Sequence, residues 1–470
     1  MSTTIRKNLS FFSFIALLTN YLSLKLEGSD LEYLKSSYFN FKTSDLEKAQ
    51  GNPLFKVIKE VLIEIDMESD TLQVLDIALK AFPNVSAFSS YRTGFEFQTW
   101  EQKHFDMILC IPLDKLKLNG CLLKPLRSQI TLKSDFLRSF FAETVQGAKQ
   151  ILFECKNLER IIMTEVGMDA NKKEEEEFCE NIIRYLRDNP HYSSKIRQIK
   201  IHGFWTNLHE DVKRVTQSIQ IPKTCFPSLR TLDLGFFSAL SSLEIESESL
   251  KEMSVTSMLS LKKLFLKSES LSTFRMQMCT RLRKVEMICN NLNSAFFDSQ
   301  IFLQNLKIES RNLLRLSVNC CCIESSLMTS LKSCPNIQYL QFGASYDISL
   351  PFPSKKLLLS LSQTCSKLAH ISISPNTSRI TKQVVNSLYN SFLKQGKFPE
   401  IESIHSVGEL EEKEKKEGEI LSSSLKRWKS SLLFKFFNSW RTYRDLSAVK
   451  GFLISAGVEE RKDWKDLSLD

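Results

Sequence analysis

The chain has 470 residues, a formal net charge of +9, 42% hydrophobic residues, and 33 Phe against 14 Gly. That apolar content supplies a continuous core and excludes a disordered or low-complexity chain. The charge is modest for the length and no Lys/Arg block resembles a nucleic-acid arm, so an acidic partner is permitted while no nucleic-acid partner is expected.

The twelve cysteines are scattered, with no C-x-x-C pair and no histidine spaced for zinc. Cys320, Cys321 and Cys322 are consecutive, and a strand edge or tight turn would aim neighbouring thiols differently. Free thiols in the reducing cytoplasm or nucleus are expected, with no metal site.

Arg6 and Lys7 precede an apolar run, Phe11 to Leu18. Ser13 interrupts it, the rhythm continues amphipathically through Tyr21, Leu22 and Leu26, and no small-x-small cleavage site follows, so the segment reads as helix rather than signal peptide. No run approaches the ~20 apolar residues that span a bilayer. Phe11, Phe14, Ile15, Leu18 and Leu22 share one helical face and Leu31, Leu34 and Tyr38 another, predicting a helical cap over residues 1–54.

A strand signature, apolar-x-x-apolar-x-apolar, then begins with Ile58, Val61 and Ile63. It returns at Val85 and Phe88, then from Leu113, Leu158, Ile196 and Leu229, with spacings of 27, 28, 45, 38 and 33 residues. Helices are predicted between these strands. One runs from Leu72 to Phe82. A second is capped by Ser134–Asp135 and carries Phe136, Phe140, Phe141, Ala148 and Leu152 toward Cys155. A third runs from Glu174 to Arg187 and stops at Asn189-Pro190. The four glutamates at 174–177 sit at a helix start, where the dipole favours acids, and read as a solvated face.

From Leu229 to Val318 the signature recurs every 21 residues in two interleaved series. One begins at Leu229, Leu250, Leu271, Leu292 and Leu313, the other at Leu240, Leu261, Leu282 and Leu303. Two registers holding one period define a repeat coil too short for a helix, with a strand on each side. The 240 series turns Lys263, Lys267, Lys284, Glu286, Lys307 and Glu309 outward, a plain charged face. The 229 series turns out smaller, more varied residues, among them Thr231, Asp233, Arg275, Phe296 and Arg315, and is expected to be the recognition side. Helix-bearing coils return afterwards: Ser325–Cys334 leads into Ile337, Leu357–Cys365 into Leu368, and Thr381–Lys394 into Ile401. Thirteen strands are expected in all, from Ile58 to Ile401.

Residues 55–407 thus resemble the ribonuclease-inhibitor-like branch of the leucine-rich-repeat family. The resemblance implies an α/β solenoid, a horseshoe with parallel concave strands, helix-bearing N- and C-terminal coils and a helix-poor central block. It departs from the family in lacking most of the Asn residues that follow the strand, the turns being closed by Ser, Cys or Gly. Residues 10–45 resemble an F-box in length and rhythm, which implies a Skp-type adaptor and a role as substrate receptor of a cullin-type ubiquitin ligase. The Leu-Pro opening is missing, and Leu22-Ser23-Leu24-Lys25-Leu26 matches the usual second segment only loosely.

A charged linker, 408–423, separates this array from a basic amphipathic tail, 424–470. Within the tail, Leu425, Trp428, Leu432, Phe436, Trp440 and Tyr443 fall at helical spacing among Lys and Arg. Such a helix caps the last coil, suits the Met-rich pockets and acidic rims of calmodulin-class EF-hand proteins, or lies on a membrane surface. Leu432-Leu433, Phe437 and Trp440-Arg441 resemble the centrin-binding repeat of the spindle-pole half-bridge filament family, here as one copy with Ser424 in place of Ala. The resemblance implies that Trp440 and Leu433 are buried anchors and that Arg441 pairs with the acidic lobe.

No phosphate loop, dinucleotide fingerprint, H-E-x-x-H or G-x-S-x-G occurs, and the six histidines are isolated. No catalytic residue, cofactor or metal is therefore expected. The expected function is a scaffold or adaptor that binds a protein partner on the concave face, through Arg275, Phe296, Arg315, Tyr339 and His370. An EF-hand partner on Trp428, Leu432, Leu433, Phe437, Trp440 and Arg441 is the second expected contact. Alternatives are the F-box receptor and a small-GTPase regulator, for which no catalytic arginine can be singled out.

Overall fold

In the computed structural model the described residues are 39–42, 60–64, 71–91, 97–124, 128–166, 178–203, 217–237, 240–300, 303–320, 324–342, 355–373 and 400–403. They belong to two units, Met1–Leu261 and Lys262–Asp470. Parallel strands dominate both, few helices accompany them, and the arrangement is compatible with a repeat solenoid.

In the first unit the strands are β1 (Phe39–Lys42), β2 (Glu60–Glu64), β3 (Ala87–Tyr91), β4 (Gln98–Trp100), β5 (Lys115–Leu123), β6 (Ser128–Lys133) and β7 (Ser139–Gln146). They continue with β8 (Ala148–Glu154), β9 (Arg160–Val166), β10 (Gln198–Gly203), β11 (Gln217–Ile221), β12 (Thr231–Gly235), β13 (Leu240–Ser247) and β14 (Glu252–Thr256). One sheet runs β1-β2-β3-β5-β7-β9-β10-β12-β14, every neighbouring pair parallel, and β4 adds to the far half of β5. On the opposite side of the coils β6 pairs β8, and β11 pairs β13.

The second unit holds β15 (Lys263–Ser268), β16 (Thr273–Gln277), β17 (Lys284–Ile288), β18 (Ser294–Gln300), β19 (Asn305–Glu309), β20 (Arg315–Cys320), β21 (Tyr339–Phe342), β22 (His370–Ile373) and β23 (Glu400–Ser403). Its long sheet runs β16-β18-β20-β21-β22-β23, and its second sheet β15-β17-β19. The strands from the 229 series are the ones that join the strands of the helix-bearing coils, as their repeat register implies.

Alternation builds the core. In β16, Phe274 and Met276 are buried while Arg275 and Gln277 are exposed, and the same alternation holds along β12, β14, β17 and β19. Phe274 lies 5.4 Å from Phe297 of the next coil, and Phe140 meets Phe153 edge-on at 5.4 Å across one coil. Each fully buried Leu or Phe of these columns stabilises the fold by roughly 1.5–3 kcal/mol.

Two polar columns stitch the coils together. At nine of the signatures the residue three before the first leucine or isoleucine is small and buried: Ser134, Cys155, Ser193, Ser247, Ser268, Cys289, Ser310, Cys334 and Cys365. Cys155, Cys289 and Cys334 donate their thiols to the carbonyls of Leu132, Leu266 and Ile308 in the preceding coil, at 3.2, 3.8 and 3.6 Å. One residue before the leucine, Asn157, Asn291 and Asn336 donate to the carbonyls of Asp135, Glu269 and Arg311 at 2.5, 2.7 and 2.6 Å. An asparagine ladder therefore exists, on the entry side of the strands instead of the exit side. Seven residues after the leucine the backbone turns left-handed, at Gly120, Thr144, Glu165, Phe236, Ser257 and Met278, with φ between 51° and 67°. Only glycine takes this conformation freely, so five non-glycine residues hold it against a cost of about 1 kcal/mol each.

Two expectations are corrected. Residues 139–154 are not a helix but strands β7 and β8, joined at Gly147, whose φ is 89°. Ser134 Oγ does accept the N–H groups of Phe136 and Leu137, at 3.1 and 3.2 Å, but it closes a turn rather than opening a helix. Leu137, Phe140 and Ala142 are the missed signature, and the 45-residue gap splits into 24 and 21. The second correction is at β1. Phe39-Asn40-Phe41-Lys42 alternates with a period of two and pairs with Val61 to Glu64, within the segment expected to be all helical.

Helices take over where a second-sheet strand would otherwise have a bare edge. The helix Gln102–Ile108 covers β6, and Gln102 bonds the Thr131 N–H through Oε1 and the Thr131 carbonyl through Nε2, both at 2.8 Å. At the other edge of that sheet, Gln150 of β8 donates to the Asn181 carbonyl in the helix Phe178–Asp188 at 3.4 Å. The helix Glu324–Lys332 covers β19: Ser330 Oγ bonds the Leu306 carbonyl and the Ile308 N–H, and Ser326 Oγ bonds the Leu306 N–H, at 2.6, 3.1 and 2.6 Å. Gln102, Ser326 and Ser330 thus satisfy strand groups that a further strand would have paired.

Candidate binding surface

The outward face of the second unit's long sheet gathers the residues singled out from the repeat. Parallel register sets them in rows. Thr273, Ser294, Arg315, Tyr339 and His370 stand opposite one another in succession, and Arg275, Phe296, Ser317 and Gln341 form the next row. Neighbouring strands lie about 4.8 Å apart, so each row presents side chains at near-contact spacing.

Two stacked pairs result. The Arg275 guanidinium lies 5.6 Å from the centre of the Phe296 ring. The Tyr339 and His370 rings are parallel within 5°, with centroids 4.5 Å apart. Arg275 and Arg315 are exposed and have no carboxylate partner among the described residues, while Phe296, Tyr339 and His370 are half-buried. Two strand spacings and two residues of rise put the Cα atoms of Arg275 and Arg315 about 12 Å apart. The face thus offers two unpaired cations flanking planar rings whose rotamers are already held by stacking. That suits carboxylates and aromatic side chains of a protein partner.

The corresponding face of the first unit is charge-balanced instead. His202 Nε2 lies 2.9 Å from Asp233 Oδ1, and Lys200 Nζ lies 3.6 Å from the other carboxylate oxygen. Burial pushes the Asp233 carboxyl up, but hydrogen bonding and charge from His202, the Lys200 charge and a Ser254 hydrogen bond together hold it below the usual range. Gly235 leaves room for the imidazole: a Cβ there would stand 3.0 Å from His202 Cδ2. Further along, Lys115 lies 5.5 Å from the centre of the Phe141 ring. Sequence reading missed this cluster. His202 and Asp233 are on adjacent strands but not in one row, so the pairing becomes visible only once the register is known.

Trp428, Leu432, Leu433, Phe437, Trp440 and Arg441 lie outside the described residues, as does the F-box-like segment except for Phe39–Lys42. Among the described residues no three His, Cys, Asp or Glu side chains are grouped to hold a metal ion, and no helix is long and apolar enough to cross a membrane. No protein-family model matches the chain, and no curated protein matches it.

Proposed function

We propose that this chain is a non-enzymatic scaffold or adaptor of the leucine-rich-repeat type, binding a protein partner on the outward face of its long sheet. The reading is carried by Arg275 and Arg315, two exposed guanidinium groups without carboxylate partners among the described residues, set beside the Phe296, Tyr339 and His370 rings. The buried leucine columns and the Ser, Cys and Asn ladders support the repeat class. The basic tail, through Trp440, Leu433 and Arg441, is proposed as a second contact for an EF-hand protein; its support is the sequence spacing alone.

The test is quantitative affinity isolation from cell extract with the intact chain and with R275E/R315E, using K149E as a charge control on another strand. A partner retained by the intact chain and by K149E, but depleted at least about tenfold by the double variant at unchanged melting temperature, supports the reading. Identical partner sets for all three overturn it, as does capture of only a Skp-type adaptor through residues 1–50. W440A separately tests the EF-hand contact.

A further inference from the structure

The second sheet of the same unit carries a charge arrangement that a merely solvated face would avoid. Strands β15 and β17 place Lys263 directly opposite Lys284. The N–H groups of Arg283 and Lys284 both bond the Lys262 carbonyl, at 2.9 and 3.0 Å, which fixes Lys262 beside Arg283. Arg281 stands on the turn leading into the same strand. All five side chains are exposed, and none of Lys262, Lys263, Arg281 and Arg283 has a carboxylate partner among the described residues. Like charges directly opposite on neighbouring strands destabilise a sheet; Lys263 and Lys284 form such a pair, and Lys262 and Arg283 lie side by side just before those strands begin.

Two residues further along, the same face is neutralised. Glu286 takes Lys284 and Lys307 at 3.1 and 3.0 Å, and Lys307 also reaches Glu309 at 2.9 Å. Hydrogen bonds from Lys307 and then Lys284 hold the Glu286 carboxyl below its usual range. The third strand enters with Gln304 and Asn305, both uncharged, so the cationic cluster stops after two strands.

We propose that Lys262, Lys263, Arg281, Arg283 and Lys284 form a binding site for a compact soluble polyphosphate. Arginine forks engage phosphate oxygens bidentately and lysines add mobile point charges. The footprint, about 10 Å on one strand spacing and the three-residue rise from Arg281 to Lys284, matches a ligand with several phosphates close together. An extended nucleic-acid strand fits poorly, because it needs successive aromatic side chains to stack its bases and Phe265 is the one aromatic in the outward rows of these three strands. A membrane surface fits poorly too, because Glu286 and Glu309 on the same face would be pressed against anionic headgroups.

The experiment is thermal melting of the full chain in low salt with inorganic tripolyphosphate, phosphatidylcholine vesicles containing a phosphoinositide, or a 20-base oligonucleotide as separate arms. Tripolyphosphate is expected to raise the melting temperature saturably. K263E relieves the repulsion, so it is expected to melt higher than the native chain without ligand while its apparent affinity falls at least about tenfold; R283E should lose affinity similarly. The proposal is overturned if tripolyphosphate leaves the native chain unshifted, if it shifts native and variant chains alike, or if vesicles or oligonucleotide bind and tripolyphosphate does not displace them.

Discussion

The Gln102 side chain lies against Thr131 as though it were one more residue of a strand, its amide oxygen taking the backbone N–H and its nitrogen giving to the carbonyl, each at 2.8 Å. A helix thereby ends a sheet without leaving its edge unpaired. Gln102→Ala removes both bonds and leaves a part-buried N–H and C=O unsatisfied, which should cost about 1–3 kcal/mol. Chemical denaturation checks this, and a variant as stable as the native chain would show that the edge needs no cap.

Gly203 and Gly235 both sit at strand ends beside the His202–Asp233 pair, but their alanine variants should differ. A Cβ at 203 would stand 2.7 Å from the Phe236 carbonyl oxygen, part of the backbone, whereas at 235 it meets the His202 ring at 3.0 Å. A ring can rotate aside; a backbone carbonyl in a left-handed turn cannot do so cheaply. G203A should therefore lower the melting temperature more than G235A, while G235A alone should perturb the His202 imidazole resonance. Equal losses would contradict this ranking.

Much of this architecture is legible in the residues themselves, and the failures have identifiable causes. The 21-residue beat from Leu229 to Val318 locates the strands because each leucine column must stay buried. The helices near Leu72, Phe178, Ser325 and Leu357 are readable from their apolar stripes. Residues 137–154 mislead because Phe140, Phe141, Ala148 and Leu152 line up on one helical face, although in the strands Phe141 and Leu152 turn away from the buried side; left-handed Thr144 and Gly147 decide for strands. The Arg275–Phe296 neighbourhood follows from the beat, since residues 21 apart fall in register. Tyr339 and His370 are 31 apart, so their stacking depends on a helix length that no period supplies.

The buried thiols should be chemically inert. Burial raises the Cys155, Cys289 and Cys365 thiols to about 12 and Cys334 to about 11, against an ordinary value of 9.0. At neutral pH these thiols therefore supply far less thiolate for nucleophilic attack than an exposed cysteine does. Maleimide labelling read by peptide mass spectrometry should mark exposed Cys110 quickly and these four only after denaturation. Their folded-state pKa is raised, so their contribution to stability is complete below about pH 9 and is lost as the pH climbs toward 12.

Asp233 gives the opposite sign. Its carboxyl is held below the unfolded value, so its contribution is present above about pH 4 and disappears as the pH falls through the folded pKa. Urea denaturation of D233N should show lower stability than the native chain at pH 7 and a shrinking difference toward pH 3. A gap that stays constant across this range would mean that Lys200 and His202 do not depend on its charge.

A chain that repeats itself every 21 residues can mistake its own address. Shifted by one whole coil, Leu264 and Leu266 would meet the same kinds of neighbour, and the apolar core would scarcely register the error. The serines on the helix Glu324–Lys332 break that degeneracy. Twenty-one residues before Ser326 and Ser330 stand Asn305 and Glu309, outward strand residues that cannot close an edge. The leucines thus make folding favourable, while a few polar side chains at the hand-overs make it unique.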